Sequence, residues 1–284
     1  MSVELLETAR RIALEAGALA EDRRREGVSV AASKSSDVDV VTAADRETEA
    51  LIRALIAAER PHDGFYGEES DAAAGSSGLV WVVDPIDGTV NYLYGNPTWA
   101  VSIAVGELDP DAAADDEPTA TWRALAGAVY APSVRELYTA SAGGGAWLER
   151  LGREPGAPER LQVNADPSLA HALIGTGFSY IAERRAAQGA VLGGLLPRVR
   201  DIRRGGSAAL DLCAVASGRL DGYYERHINP WDHAAGALIA REAGARVAGL
   251  HGAPATAQLV VAAEPGLFDE LHAALVEAGI GTSA

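Results

Sequence analysis

The run LVWVV at residues 79–83 constrains the fold of this chain more than any other stretch. It is entirely apolar, too short for a typical helix and followed at once by Asp84-Pro85, so it predicts a buried strand that ends in a turn. Helical and strand patterns alternate along the rest of the chain, with no internal repeat. Such alternation predicts stacked layers of sheets and helices, in an α+β or α/β organisation.

Hydrophobic periodicity predicts elements throughout the chain. We expect one compact catalytic unit made of two halves, an N-terminal α+β half over 1–150 and a C-terminal α/β half over 151–284. An acidic loop is expected at 108–121. The predicted helices span 3–25, 43–59, 181–195, 206–218, 231–244 and 265–278, and the predicted strands lie at 79–83, 99–108, 124–132, 134–149 (two strands around a glycine turn), 172–178, 198–204, 219–225 and 258–263.

The charge balance restricts the classes of ligand. The chain has 40 acidic and 24 basic residues, a formal net charge of −16. Because the phosphate backbone of nucleic acid demands a basic surface, direct nucleic-acid binding is not expected. The charge is compatible with cation binding, although surface carboxylates also serve solubility alone. Cys213 is the only cysteine, so an intrachain disulfide and a cysteine zinc cluster are excluded.

Two features predict a soluble, cytoplasmic protein that does not enter a membrane. No stretch approaches the roughly 18 consecutive apolar residues of a membrane span. The N-terminal segment is acidic from Glu4 onward and lacks the basic start and apolar stretch of a signal peptide.

Three carboxylates stand near the ends of predicted strands: Glu68 in GEES (67–70), and Asp84 and Asp87 in DPIDGT (84–89). The proline between the two aspartates fixes φ and predicts a sharp turn that aims both side chains at one point. Clustered carboxylates repel each other unless cations hold them, and Mg²⁺ prefers oxygen ligands. Taken alone, D-P-x-D-G is also typical of a surface turn.

The neighbouring residues predict where a phosphate would bind. Gly88 lets the backbone approach a ligand closely, and the amides of Gly88 and Thr89 would open a helix N-terminus that favours phosphate. Asp232 begins another predicted helix, either as its N-cap or as a carboxylate that the following small residues let point inward. Asp45 is predicted to cap a helix together with Thr42.

Three basic residues leave alternatives open. Lys34 is the only lysine in a chain that otherwise uses arginine. This usage indicates either genomic composition or a function that needs a compact charge. Arg184 and Arg185 follow TGFSY (176–180) and are either solvated charges or contacts for a second substrate phosphate.

Six motifs follow one another along nearly the whole chain: VDVVTAADRETE (38–49), GEES (67–70), WVVDPIDGTVNY (81–92), RRGGSAALDLC (203–213), DGYYE (221–225) and NPWDHAAG (229–236). In this order they make the chain resemble the inositol monophosphatase family of lithium-sensitive, magnesium-dependent phosphatases. The resemblance implies the layered α-β-α-β-α sandwich of the inositol monophosphatase and sugar phosphatase type. TGFSY and the helices of the second half resemble the bacterial branch.

The resemblance also implies a metal-ligand set. By it, Asp84 bridges metals, Glu68 serves the first metal, and the second is held by Asp87 with Asp232. The carbonyl of Ile86 completes the set. The cofactor implied is Mg²⁺, as two or three ions.

The family resemblance also implies which residues act in catalysis and which bind the substrate. Asp45 and Thr89 match the pair that helps to activate the attacking water, and Glu68 is the third residue expected to act in catalysis. Lys34 matches a basic position near the mouth of the site. The predicted substrate contacts are Lys34, Asp87, Gly88, Thr89, Gly206, Ser207, Ala208, Glu225 and Asp232.

The reaction implied by the resemblance is hydrolysis of a small polyol or sugar phosphate, with inositol 1-phosphate as the first candidate. A homodimer and lithium inhibition follow from the resemblance alone. Fructose 1,6-bisphosphate, histidinol phosphate and an adenosine bisphosphate are alternative substrates for the same chemistry. An alternative of another class is a regulatory protein that binds the transcription machinery, because some bacterial relatives act in this way.

Overall fold

The computed structural model describes residues 2–28, 30–33, 40–109, 118–152 and 156–281. Their strands are β1 (Val30–Ser33), β2 (Val40–Thr42), β3 (Gly64–Gly67), β4 (Leu79–Asp87), β5 (Ala100–Glu107), β6 (Arg123–Ala131), β7 (Glu136–Ser141), β8 (Gly145–Arg150), β9 (Glu159–Arg160), β10 (Leu173–Thr176), β11 (Asp201–Arg203), β12 (Gly222–Glu225), β13 (Arg246–Ala248) and β14 (Val260–Ala263). Their α-helices are α1 (Ser2–Glu26), α2 (Ala43–Glu59), α3 (Thr89–Tyr94), α4 (Pro118–Thr121), α5 (Ala182–Leu195), α6 (Ala208–Ala216), α7 (Pro230–Glu242) and α8 (Pro265–Glu277).

Two mixed sheets dominate the fold. The first has seven strands in the sequential order β3-β4-β5-β6-β7-β8-β9. Within it only β3 and β4 run parallel, and each later strand is antiparallel to the one before. The second sheet has the order β11-β10-β12-β14-β13, in which β10 is parallel to both of its neighbours and β14 is antiparallel to both of its own. A small antiparallel pair, β1 and β2, precedes α2.

The apolar run in β4 is buried because helices cover both faces of the first sheet. Side chains alternate between the faces of a strand. Trp81 and Val83 pack with α1 and α2 on one face. Val80 and Val82 pack with α6 and α7 on the other. An uninterrupted apolar sequence is what a strand covered on both faces requires.

Helices α6 and α7 form a central layer shared by the two sheets. Leu212 of α6 and Ala237 of α7 pack with Tyr223 and Val260 of the second sheet. The outer face of that sheet is covered by α5 and α8, so the layers run α-β-α-β-α. The predicted sandwich is therefore confirmed.

Most predicted elements are present, and the missed ones are short. The helices predicted at 43–59 and 231–244 are α2 and α7, almost to the residue. The prediction missed β3 and β13, which have only four and three residues and lack a recognisable period. Within the loop predicted at 108–121, residues 118–121 form the short α4, and 110–117 lie outside the described residues.

The turn predicted at Asp84-Pro85 is wrong, because β4 continues to Asp87. The strand carries a bulge here: Asp84 pairs with Ser102 and Asp87 with Ala100, so three steps on β4 face two steps on β5. A bulge redirects side chains without ending the strand. The bulge therefore has the effect that was predicted for the turn, because both aspartates line the same cavity.

The boundary between halves at residue 150 remains a prediction. The short β9 at 159–160 still pairs with β8 of the first sheet, and α6 and α7 pack on both sheets. No helix among the described residues is long and apolar enough to cross a membrane.

We expect the close approach of α6 and α7 to depend on Gly236. A Cβ placed there would lie 2.8 Å from Leu212 Cβ and 3.1 Å from the carbonyl oxygen of Ala209. Gly236→Ala should lower the free energy of unfolding by about 1–3 kcal/mol through overpacking, despite the better helix propensity of alanine. Urea unfolding measures the change.

Gly189 in α5 provides the matched control, because a Cβ there would meet no atom within 4 Å. Gly189→Ala should raise the free energy of unfolding by about 0.4–1 kcal/mol. Equal stabilisation of both variants would show that the α6–α7 contact does not need a glycine.

Candidate active site

A cavity of about 380 Å³ lies where the ends of several elements meet. One wall is formed by the segment after β3, the end of β4 and the first turn of α3. The opposite wall comes from the starts of α6 and α7 and from the segments that follow β10 and β12. Glu68, Asp84, Asp87 and Asp232, which are far apart in sequence, all line this cavity.

Three of these carboxylates form a tight cluster. Asp84, Asp87 and Asp232 each offer one oxygen, and the three oxygens lie within 4.8 Å of one another. Burial raises the pKa of Asp232 well above its usual value, and the charges of Glu68 and Asp87 raise it further. Negative charge is therefore costly here unless a cation balances it.

Glu68 reaches the same cavity because β3 is parallel to β4. Gly67 pairs with Val83, so Glu68 and Asp84 each follow a paired residue at the same edge of the sheet. The segment is held from behind by Glu49 of α2, whose carboxylate accepts the Glu69 N–H at 2.8 Å. A Cβ at position 67 would collide with Glu49, which explains the glycine.

Asp87 is fixed by the first turn of α6. Its carboxylate accepts the Ser207 hydroxyl at 2.5 Å and the Ala209 N–H at 2.8 Å. Burial raises the pKa of Asp87 to about 6, although these hydrogen bonds lower it. Ser207 is also the N-cap of α6, where its oxygen accepts the Leu210 N–H at 3.2 Å. The single hydroxyl proton of Ser207 is thus used by Asp87.

Asp232 lies at the third position of α7, and its alternative reading as an N-cap is wrong. The N-cap is Asn229, whose N–H donates to the Asp232 carboxylate at 2.6 Å. Pro230 occupies the first helical position, where no intrahelical donor is lost. This capping box fixes the Asp232 side chain against the cavity.

The side chains of Asp45 and Thr89, which are 44 residues apart in sequence, form a hydrogen bond. The Thr89 hydroxyl lies 3.2 Å from Asp45 Oδ1 and also 3.2 Å from the carbonyl oxygen of Ile86. The other oxygen of Asp45 accepts the Thr42 N–H at 2.8 Å and the Thr42 hydroxyl at 2.5 Å. Asp45 therefore caps α2 with one oxygen and contacts Thr89 with the other.

Gly88 is needed for a reason that differs from the predicted one. Its φ is +95°, and a Cβ there would lie 2.9 Å from the Thr98 carbonyl oxygen and 3.0 Å from that of Gly206. The backbone turn between β4 and α3 thus accounts for this glycine without any ligand. The α3 helix does begin at Thr89, as predicted.

Sequence reasoning missed one residue beside the cavity, Asp211 of α6. Its side chain is 7% exposed, and burial together with the charges of Glu225 and Asp87 raises its pKa to about 8. Burial likewise raises the pKa of Glu225 to about 7, and Tyr223 donates to Glu225 at 2.7 Å. An aspartate in the apolar sequence AALDLC was the available indication of Asp211.

Of the remaining residues predicted to contact the substrate, all but Lys34 line the cavity. Gly206, Ser207, Ala208 and Glu225 all line the cavity. Lys34 lies outside the described residues.

The carboxylate cluster fits a divalent cation. Its donor set consists only of oxygens, which suit Mg²⁺ or Ca²⁺ better than softer metals. Burial raises the pKa values of Asp87 and Asp232, so their charged forms are costly here unless a cation balances them. Metal binding should then displace protons from these carboxyl groups.

Asp211 should make metal-free stability fall as the pH rises. An aspartate with a folded pKa of about 8 keeps its proton when the unfolded chain, with a pKa of about 3.9, has lost its own. The stabilisation is complete below about pH 4 and is lost as the pH rises through about 8.

Asp211→Asn mimics the protonated form at every pH. In EDTA, it should gain about 1–3 kcal/mol over wild type between pH 5 and pH 8 by urea unfolding. Parallel pH profiles would contradict this assignment.

Comparisons with known proteins agree with the fold. The sequence profile described as "Inositol monophosphatase family" matches residues 1–280. Inositol-1-monophosphatase SuhB of Mycobacterium tuberculosis is 44% identical, with 95% of this chain and 93% of that protein covered. A protein named Nus factor SuhB, of Pasteurella multocida, is 38% identical, with 82% and 81% covered.

Among solved structures, Mycobacterium tuberculosis SuhB superposes with a TM-score of 0.77 at 42% identity, with 98% of this chain and 97% of that chain covered. The similarity thus spans every element that supplies the cavity. This chain belongs to the inositol monophosphatase family, whose members are phosphatases.

Proposed function

We propose that this protein is a magnesium-dependent phosphomonoesterase that hydrolyses inositol 1-phosphate to inositol and phosphate. One observation carries the proposal: Asp84, Asp87 and Asp232 bring carboxylate oxygens within 4.8 Å of one another in a cavity that also contains Thr89. The name of the Mycobacterium tuberculosis relative supports inositol 1-phosphate as the substrate.

The proposed metal ligands are Glu68, Asp84, Asp87, Asp232 and the carbonyl of Ile86, all of which line the cavity. Bound Mg²⁺, as two or three ions, would supply Lewis-acid chemistry to a phosphoryl oxygen and to the attacking water.

The chain itself offers a route for the proton of the water. The Thr89 hydroxyl can donate to Asp45 while its oxygen accepts a hydrogen bond from a water in the cavity. The water is thereby oriented, and Asp45 is the base at the end of the route. Because Asp45 is also bound by Thr42, its carboxylate keeps this orientation without substrate.

The polyol part of the substrate would lie against the second half of the cavity. We assign Glu225 and the backbone of Gly206 and Ala208 to its hydroxyl groups. Ser207 positions Asp87 rather than substrate, since its hydroxyl proton is already donated. The amides at Gly88 and Thr89 are assigned to the phosphate. A substrate contact by Lys34, which the family resemblance implies, is part of the same proposal.

A second candidate function is the regulatory one, binding to the transcription machinery. The relative named Nus factor SuhB is the observation that favours it. Capture of RNA polymerase components from the native extract, unchanged in Asp87→Asn, would support a role separate from catalysis. A cytoplasmic location, a homodimer and lithium inhibition remain proposals that rest on the family resemblance.

The substrate assignment predicts magnesium-dependent phosphate release from inositol 1-phosphate at a higher kcat/KM than from fructose 1,6-bisphosphate or histidinol phosphate. Asp87→Asn should reduce turnover by more than about 100-fold at saturating Mg²⁺, because it removes a metal ligand. Phosphate release with and without Mg²⁺ measures both effects.

Circular dichroism of Asp87→Asn should match wild type, since an amide oxygen can still accept from Ala209. Undiminished turnover by this folded variant would contradict the assignment of Asp87.

The proposed proton route predicts a contrast between two substitutions at one position. Thr89→Ala removes the hydroxyl and should lower kcat by about 10²–10⁴-fold with little change in KM. Thr89→Ser keeps the hydroxyl and should retain most of the activity. If both variants lose activity equally, the threonine methyl group matters and the hydroxyl route is wrong.

A further inference from the structure

Helix α2 directs two acidic side chains toward the site, and the proposed reaction uses only one of them. Asp45 and Glu49 are four residues apart, so they lie on the same face of the helix. Asp45 contacts Thr89, whereas Glu49 faces the segment that follows β3 and carries Glu68. Glu49 is only 2% exposed. A carboxylate buried this deeply is costly unless hydrogen-bond donors satisfy it.

The donors that satisfy Glu49 come from the residues that follow Glu68. The Glu49 carboxylate accepts the Glu69 N–H at 2.8 Å and also accepts the hydroxyl of Ser70. On the other side of Glu68, a Cβ at Gly67 would collide with the same carboxylate. The backbone on both sides of Glu68 therefore lies against Glu49.

Arg53, one turn further along α2, sets the direction of the Ser70 hydroxyl. Its guanidinium donates to Ser70 Oγ at 2.7 Å and to the carbonyl oxygen of Asp71 at 3.0 Å. The guanidinium also lies over the ring of Phe65 in β3, 4.9 Å from the ring centroid. Because Ser70 Oγ accepts from Arg53, the single hydroxyl proton of Ser70 is donated to Glu49. Hydrogen bonds in one direction thus connect Arg53, Ser70 and Glu49.

We propose that Glu49 is a positioning residue for Glu68 and thereby sets the affinity of the site for Mg²⁺. The inference rests on the proposed phosphatase function, in which Glu68 is a metal ligand. Asp84 and Asp87 belong to a strand and Asp232 to a helix, whereas Glu68 lies in a connecting segment. Hydrogen bonds to α2 hold this segment in place. Partners that orient metal ligands in this way typically contribute tenfold or more to metal affinity.

Isothermal titration with Mg²⁺ alone, without substrate, tests the inference. Glu49→Ala should raise the Mg²⁺ dissociation constant by about tenfold or more, because Glu68 loses its fixed position. Glu49→Gln keeps an oxygen that can accept the Glu69 N–H, so it should restore most of the affinity. An unchanged dissociation constant in Glu49→Ala, or an equal loss in both variants, would overturn the inference.

Two control variants separate positioning from charge and from stability. Glu47→Ala removes a carboxylate from the same helix, but Glu47 is exposed and accepts from Arg23 at 2.5 Å. Ile52→Val removes a methyl group from the buried face of α2 and should lower the melting temperature. Both controls should bind Mg²⁺ as wild type does. If either one loses as much affinity as Glu49→Ala, the positioning role is wrong.

A double-mutant cycle asks whether Glu49 acts through Glu68. Glu68→Gln removes the proposed ligand itself and should also weaken Mg²⁺ binding. Once that ligand is lost, adding Glu49→Ala should weaken binding no further. Additive losses would show that Glu49 affects the metal independently of Glu68, contrary to the inference.

Ser70→Ala keeps the inference testable if Glu49→Ala does not fold. Ser70 is exposed, and its substitution removes one of the donors to Glu49. The Mg²⁺ dissociation constant should rise by about three- to tenfold, the effect of one hydrogen bond. Wild-type affinity in this variant would count against the positioning role.

Failure of the two proposals can be told apart. If wild type binds Mg²⁺ and hydrolyses inositol 1-phosphate but Glu49→Ala binds Mg²⁺ equally well, the phosphatase function stands and the positioning role falls. If wild type binds Mg²⁺ but hydrolyses no phosphomonoester, the phosphatase function falls and the dissociation constants still decide the role of Glu49. If wild type binds no Mg²⁺, both proposals fall.

Discussion

Repulsion among Asp84, Asp87 and Asp232 is the constraint on which the rest of the structure depends. Their oxygens lie within 4.8 Å of one another. Burial raises the pKa values of Asp87 and Asp232, and for Asp232 the charges of Glu68 and Asp87 raise it further. A chain can hold such a cluster only if the backbone around it is rigid. The layered fold meets this requirement because each carboxylate is fixed by hydrogen bonds from a backbone that is itself packed between layers.

The central layer connects packing to chemistry. Helices α6 and α7 lie between the sheets, and their first turns face the cavity. The start of α6 binds Asp87 through Ser207 and Ala209, while the start of α7 carries Asp232. A shift of either helix would therefore move a carboxylate, so the small residues along their contact serve the site as well as stability.

The cavity is electrically divided. Its acidic side, from Glu68 to Asp232, suits cations. The side formed after β10 and β12 carries Arg184 and His227.

The layered class, the main helices and the carboxylates that meet in the cavity could be predicted from the sequence. LVWVV, the capping residues Thr42 and Asp45, and the DPIDG motif act through local geometry, so they can be recognised from neighbouring residues. Only the folded chain reveals the bulge at Asp84, the role of Ser207 toward Asp87, the burial of Asp211 and the placement of Arg184 and His227 on one wall of the cavity. Each of these depends on residues brought together from distant parts of the chain, and charge and burial cannot be assigned before those contacts exist.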